Sequence, residues 1–200
     1  MKALLIRVWR ARLSGIVALA VLTATCATSP SPRYFRLAAL VEPAAAGASG
    51  ATERAVIVGP FQLAEYLDRP QLVTRDGDNG VQVADYERWA EPLEASFQAV
   101  VTTNVGRLLG SDRVLEFPAQ TILKAERRVT GRIVRLDGDA AGLAVLEVQW
   151  GVLDGAGAVL LPGRLSRFEA RAGGAGAAAR VAAMNATVTA FSAEVAAAVR

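Results

Sequence analysis

Cys26 is the only cysteine among the 200 residues of the chain. No disulfide can form within it, so whatever it folds into must be held by an apolar core. The position of that cysteine adds a second constraint. It follows a basic segment carrying Lys2, Arg7, Arg10 and Arg12 and an apolar run from Ile16 to Leu22. Leu22-Thr23-Ala24-Thr25-Cys26 then reads as a bacterial lipoprotein processing site, where the thiol is acylated and the cysteine becomes the new N-terminus. The apolar run is far shorter than the roughly 20 residues of a membrane-spanning helix. Thr23 and Thr25 stand where such sites usually carry an aliphatic and a small residue, and an ordinary secretory cut near Ala24 or Ala27 is the alternative. The chain therefore divides into a signal over 1–25, a tether over 26–33 and one domain over 34–200, with Thr28-Ser29-Pro30-Ser31-Pro32 in the tether.

Removal of the signal changes the charge. Four of the 22 basic residues lie in it and none of the 19 acidic ones, which leaves 18 against 19 in the mature chain. No basic footprint for nucleic acid survives. Histidine is absent, which excludes Ser-His-Asp and Cys-His catalysis and removes the commonest metal ligand. No catalytic residue, metal or cofactor is expected. Paired-carboxylate hydrolysis stays formally open, because it needs only two acidic side chains brought together. Most aspartates fall in turn contexts, where a solvated loop carboxylate is the simple reading.

Along the domain, Tyr34-Phe35-Arg36-Leu37 predicts a short strand and Ala44 to Gly50 a loop of small residues. Arg54 to Val58 predicts a strand covered on both faces, since Ala55, Val56, Ile57 and Val58 are consecutive, with Gly59-Pro60 as its stop. Phe61 to Pro70 reads as a helical turn or loop. Gln71 to Arg75 and Gly80 to Ala84 form a hairpin around Asp76-Gly77-Asp78-Asn79. Asp76, Asp78 and Gly80 imitate the start of a calcium loop, but the downstream acidic ligand is missing.

Trp89, Leu93, Phe97, Val100, Val101, Asn104 and Leu108 recur at three- and four-residue steps. They predict a helix over about 90–109, with Pro92 in its first turn, Gly110 past its end and Trp89 opening the core stripe. Val114, Leu115 and Phe117 form a short strand. A late three-strand meander follows, from Ala125 to Leu136, Leu143 to Leu153 and Val159 to Ala170, turning at Asp137-Gly138-Asp139 and Asp154-Gly155-Ala156-Gly157. Val181, Met184, Val188, Phe191, Val195 and Val199 mark a last helix over 177–199. The expected class is α+β: a single two-layer domain of mostly antiparallel sheet with two long helices.

Val58-Gly59-Pro60, Tyr66-Leu67-Asp68-Arg69-Pro70-Gln71, Thr74-Arg75 and Glu87-Arg88-Trp89-Ala90-Glu91-Pro92-Leu93 together resemble the PqiC-type ABC-transport auxiliary lipoproteins. Tyr34-Phe35-Arg36-Leu37 and the strand and turn from Trp150 to Gly157 are similar to that family as well. The resemblance implies a periplasmic lipoprotein held at the outer membrane. It implies as partners an MCE-domain protein and an inner-membrane transporter that move lipid between membranes, and a homo-oligomeric ring capping a tube of MCE domains. The insertion near Ala44 to Gly50 departs from the pattern.

Tyr66, Leu67, Asp68, Arg69 and Pro70 are the candidate partner-binding residues, because an amphipathic aromatic, an aliphatic anchor and a charge pair are enriched at interfaces. The alternative is that Tyr66 and Leu67 plug the sheet while Asp68 and Arg69 pair locally. Two further functions remain to be weighed: a lipid carrier with its own acyl-chain pocket between helix and sheet, and the carboxylate hydrolase.

Overall fold

Leu146, Val148, Trp150 and Val152 alternate along one strand, and all four are buried on the same sheet face. What covers that face sets the architecture. The computed structural model describes residues 30–42, 54–119 and 124–200; the predicted signal, Cys26 and the Ala44 to Gly50 loop lie outside them. Strands β1 (Arg33–Phe35), β2 (Val56–Leu63), β3 (Gln71–Asp76) and β4 (Gly80–Trp89) precede helix α1 (Leu93–Leu109). Then come β5 (Val114–Glu116), β6 (Arg127–Asp139), β7 (Leu143–Asp154), β8 (Val159–Arg171) and helix α2 (Ala177–Val199). The class is α+β, as the sequence patterns indicate, with eight strands in one mixed sheet.

The sheet forks at β6. One edge of this strand pairs antiparallel with β7 along nearly its whole length, and β7 pairs in turn with β8. The other edge is shared: Arg127–Ile133 runs parallel to β2, while Gly138 and Asp139 run parallel to β3. One arm therefore continues from β2 to β5 and the other from β3 through β4 to β1. The long ladders of the meander are antiparallel, and the short parallel joins at β6 attach the N-terminal half of the domain to it. Returning from β2 to a parallel β5 requires a crossover, which α1 supplies.

Helix α1 lies over β2 and β5, α2 lies over β6, β7 and β8, and the helices touch each other. Phe191 of α2 is the hub of the core. Its ring centroid lies 5.9 Å from Phe61, 5.8 Å from Phe97, 5.5 Å from Trp150 and 6.1 Å from Phe168, so it joins both helices to three strands. Most of these contacts are edge-on, the arrangement that aromatic quadrupoles favour. A buried latch flanks them: Trp150 Nε1 donates to Ser166 Oγ at 3.0 Å, and Ser166 Oγ donates to Glu194 of α2 at 3.0 Å.

Several boundaries differ from those read off the sequence. Gly59-Pro60 does not stop β2. The pairing with β6 shifts register between Val58 and Phe61, and the strand resumes to Leu63, so only Glu65–Leu67 of the expected turn is helical, as a 3₁₀ turn. Gly59 has φ +108 and sits against the Gln98 side chain, which ties α1 to the end of β5 through Phe117 O at 2.8 Å. Positive φ and close approach explain why glycine stands there.

Strand β4 continues past Ala84 to Trp89, so Trp89 ends a strand instead of opening the helix, although it is core as expected. Helix α1 starts at Leu93, because Pro92 cannot serve its interior, and it ends at Gly110 in the left-handed region. Asp137-Gly138-Asp139 belongs to β6, with the turn at Ala140 to Gly142.

Truncating the hub tests this packing. Phe191→Ala is expected to lower the unfolding free energy by about 3–5 kcal/mol, the usual cost of removing a buried phenylalanine whose surroundings cannot collapse. Denaturant titration followed by far-UV circular dichroism measures it.

Candidate interaction site around the Tyr66 turn

The sequence candidates Tyr66 to Pro70 follow directly on the fork. Leu63 pairs with Ile133 and Thr74 with Gly138, so the stretch of β6 between those partners has no strand on that side. The 3₁₀ turn closes the gap, beginning where Ala64 N donates to Ile133 O at 3.0 Å. Leu67 is buried in the core, Tyr66 is half-buried, and Asp68, Arg69 and Pro70 face solvent. The five candidates thus divide into two that point inward and three that point outward.

What Tyr66 reaches is Asp137, which is fully buried. Tyr66 Oη donates to Asp137 Oδ2 at 2.7 Å, Arg75 Nη2 donates to the same oxygen at 3.1 Å, and Arg135 Nε donates to Oδ1 at 2.8 Å. The Arg75 guanidinium also lies 5.6 Å from the Tyr66 ring centroid. Burial is the main reason that the Tyr66 phenol is pushed far above its ordinary range, and the hydrogen bond and negative charge of Asp137 push the same way. For Arg75, burial acts to lower the pKa, but the Asp137 charge and hydrogen bond outweigh it and the net shift is upward.

This cluster corrects the expectation of solvated aspartates. Asp137 sits inside a strand because its carboxylate has three donors there, which a turn would not need. The sequence offered no periodic signal for it, since Asp137-Gly138-Asp139 carries turn residues. Tyr66 is a candidate interface aromatic by its residue type and Arg75 belongs only to the family pattern; the fold brings both onto one carboxylate. Other residues of that pattern meet nearby: Trp89 N donates to Pro70 O and Ala90 N to Phe35 O, each at 2.7 Å. Glu91 accepts from Ser96 Oγ at 2.8 Å at the start of α1.

Carboxylates also meet on the face turned away from the helices, where Glu147 and Glu169 are both bound by Arg167. Arg167 stands between the two acids, so their carboxylates are each engaged by a guanidinium and not by one another. The space between helices and sheet, where an acyl chain would have to lie, is filled by Phe61, Phe97, Trp150 and Phe191. An open groove of about 500 Å³ runs along the other face, past Gln62, Thr130, Arg132, Leu153, Val159 and Leu161.

A mixed sheet with two helices on one face and a charge-clamped turn at its fork defines an α+β domain. Residues 35–196 match the family described as the ABC-type transport auxiliary lipoprotein component, and the chain belongs to that family. Two crystal structures share the fold. One, of an uncharacterized protein, is 18% identical and aligns with a TM-score of 0.69 over 86% of this chain and 100% of its own. The other, from Xanthomonas campestris and of the DUF330 family, is also 18% identical, with a TM-score of 0.68 over 82% of this chain and 92% of its own. No curated protein matches the sequence significantly.

Two measurements test the cluster. Asp137→Ala is expected to destabilise the domain by about 3 kcal/mol, the lower end for breaking a buried ion pair, because both guanidiniums keep some contact with water. Tyr66→Phe is expected to cost about 1.5–3 kcal/mol, since it removes a hydrogen bond to a charged group. The pH dependence follows from the raised phenol. Above the ordinary tyrosine pKa the unfolded chain loses a proton that the folded one keeps, so stability present below about pH 10 falls as pH rises further. Chemical denaturation between pH 8 and 11 is expected to show this slope, reduced by one proton in Tyr66→Phe.

Proposed function

We propose that this protein is a non-enzymatic periplasmic subunit of an MCE/ABC-type intermembrane lipid transport system, anchored by lipid at Cys26 to the outer membrane. It docks on an MCE-domain partner there and supports envelope integrity. The observation that carries this reading is the division of the Tyr66 turn. Its inward half has a folding role in the Asp137 cluster, whereas Asp68, Arg69 and Pro70 belong to the same family pattern and face solvent. An exposed charged apex held by buried bonds is pre-organised, which lowers the ordering cost of binding. Leu67, being core, contributes by holding the turn.

Anchoring is supported by distance. Arg33 opens β1 only seven positions after Cys26, so the intervening chain spans at most about 25 Å and keeps the domain beside the bilayer. Ala27 after the cysteine lacks the aspartate that retains enterobacterial lipoproteins at the inner membrane, which favours delivery outward. The filled interior weighs against the carrier reading.

Two experiments check the proposal. Mass spectrometry of the membrane fraction is expected to find Cys26 acylated at the N-terminus, and Cys26→Ser to release the protein from membranes. Arg69→Ala is expected to change stability by no more than about 0.5 kcal/mol while weakening capture of the MCE partner about tenfold or more. Normal capture by the folded variant would overturn the docking surface.

A further inference from the structure

Gln62 of β2, Arg132 of β6 and Gln149 of β7 are register partners across three neighbouring strands. They form one row on the sheet face turned away from the helices, and all three are exposed. Among the described residues none of these side chains has a hydrogen bond or an ion pair. Four residues back along β6, about 13 Å away, a second row runs from Arg128 through its partner Leu153 to Val159 of β8. Val159 is 63% exposed.

The row between these two is short in side chains. Its members are Thr130, its partner Gly151, and Gly163, which adjoins Gly151 where the pairing of β7 with β8 shifts register. Thr130 turns its hydroxyl onto Pro60 O at 2.8 Å, and neither glycine raises the floor. The result is the open groove of about 500 Å³, a volume in the range of small-ligand sites. Glycine inside a strand marks a bulge or the close approach of a ligand or another backbone. Backbone approach accounts for Gly151, because a Cβ there would meet Leu161 O at 2.8 Å. It does not account for Gly163, where a Cβ would meet nothing within 4 Å and the backbone is outside the left-handed region.

We infer that this groove binds an anionic amphiphile, an apolar chain that ends in one carboxylate or phosphodiester. Charge sets the head. The described residues that line the groove include one cation, Arg132, and no acid. A guanidinium without a partner offers a planar fork of donors that matches two oxygens of a carboxylate or phosphate. Gln62 and Gln149 stand on either side of it, about 5 Å away along the row, with amide donors for the remaining oxygens. Apolar surface sets the tail. Leu153, Val159 and Leu161 line the end toward β8, and Leu165, the register partner of Gln149, extends apolar surface beyond the first row at 62% exposure. An acidic peptide satisfies Arg132 but brings backbone groups that these aliphatic side chains cannot pair. An uncharged lipid leaves the guanidinium without a partner. The site lies on the opposite face from the filled interior, so it is a surface hold for one chain and not an enclosed carrier cavity, and it does not depend on the Tyr66 turn.

The test uses the full chain in nanodiscs of digalactosyldiacylglycerol, an uncharged bilayer lipid, with three probes that carry the same diazirine-bearing chain: a free fatty acid, a phosphatidylglycerol and a fatty alcohol. After illumination, peptide mass spectrometry is expected to place the label of the anionic probes on Leu153, Val159 and Leu161, and about tenfold less label from the alcohol. Labelling by either anion supports the site, and the stronger of the two identifies the source of the head group. Arg132→Gln is expected to lower the labelling about tenfold or more, Arg132→Lys to keep most of it, and Gly163→Leu, which fills the floor, to abolish it. Circular dichroism confirms folding, and Gly163→Val replaces Gly163→Leu if the larger side chain is not accepted. Absence of label from the groove, equal labelling by the alcohol, or indifference to Arg132→Gln or to the filled floor overturns the site. So does a hexaglutamate peptide that blocks labelling as well as unlabelled palmitate does, because the groove then takes a protein segment. None of these results bears on Arg69 and partner capture, so the two proposals fail separately.

Discussion

A carboxylate taken out of water must be paired where it lies, and Asp137 lies at the point where the sheet divides. The edge of β6 passes there from β2 to β3. The 3₁₀ turn from Glu65 to Leu67 lies at the gap, entered by the hydrogen bond from Ala64 N to Ile133 O. Asp137 binds that turn through Tyr66, β3 through Arg75 and its own strand through Arg135. One buried charge thus joins the pieces that the fork separates. The arrangement commits both carboxylate oxygens to donors from the turn, from β3 and from β6.

The same economy appears on the helix layer. Asn104 and Asn185 lie in apolar helical stripes, where a polar amide needs a partner. Asn185 Oδ1 accepts from Ala38 N at 3.0 Å and Asn104 Oδ1 from Val41 N at 3.3 Å, while Arg107 Nη1 donates to Val41 O at 2.7 Å. These bonds hold the segment after β1 across the two helices. The path of the chain from Ala38 to Val41 is therefore fixed by three side chains, Asn185, Asn104 and Arg107.

The family to which the chain belongs is a transport auxiliary component. An exposed charged apex held by buried hydrogen bonds stands on one side of the domain, and aromatic rings fill its interior. The core around Phe191 gives the domain its stiffness, because a single ring shared by two helices and three strands lets none of them move alone.

Periodic elements were legible from the sequence. The last helix, the body of α1 and the middle strand of the meander repeat apolar residues at a spacing that depends only on local geometry, and turn residues mark the β3–β4 hairpin. The resemblance marked Tyr66, Arg75 and Trp89 without saying what they do. The fork, the parallel joins and the burial of Asp137 were decided only in three dimensions. Each depends on residues far apart in the chain, such as Tyr66 and Asp137, meeting across strands, and no local pattern encodes a partner 71 positions away. Gly59-Pro60 and Asp137-Gly138-Asp139 lie within strands for the same reason. Their residue types favour turns in isolation, but pairing with β6 and β7 and the Asp137 hydrogen bonds outweigh a local preference of about 1 kcal/mol.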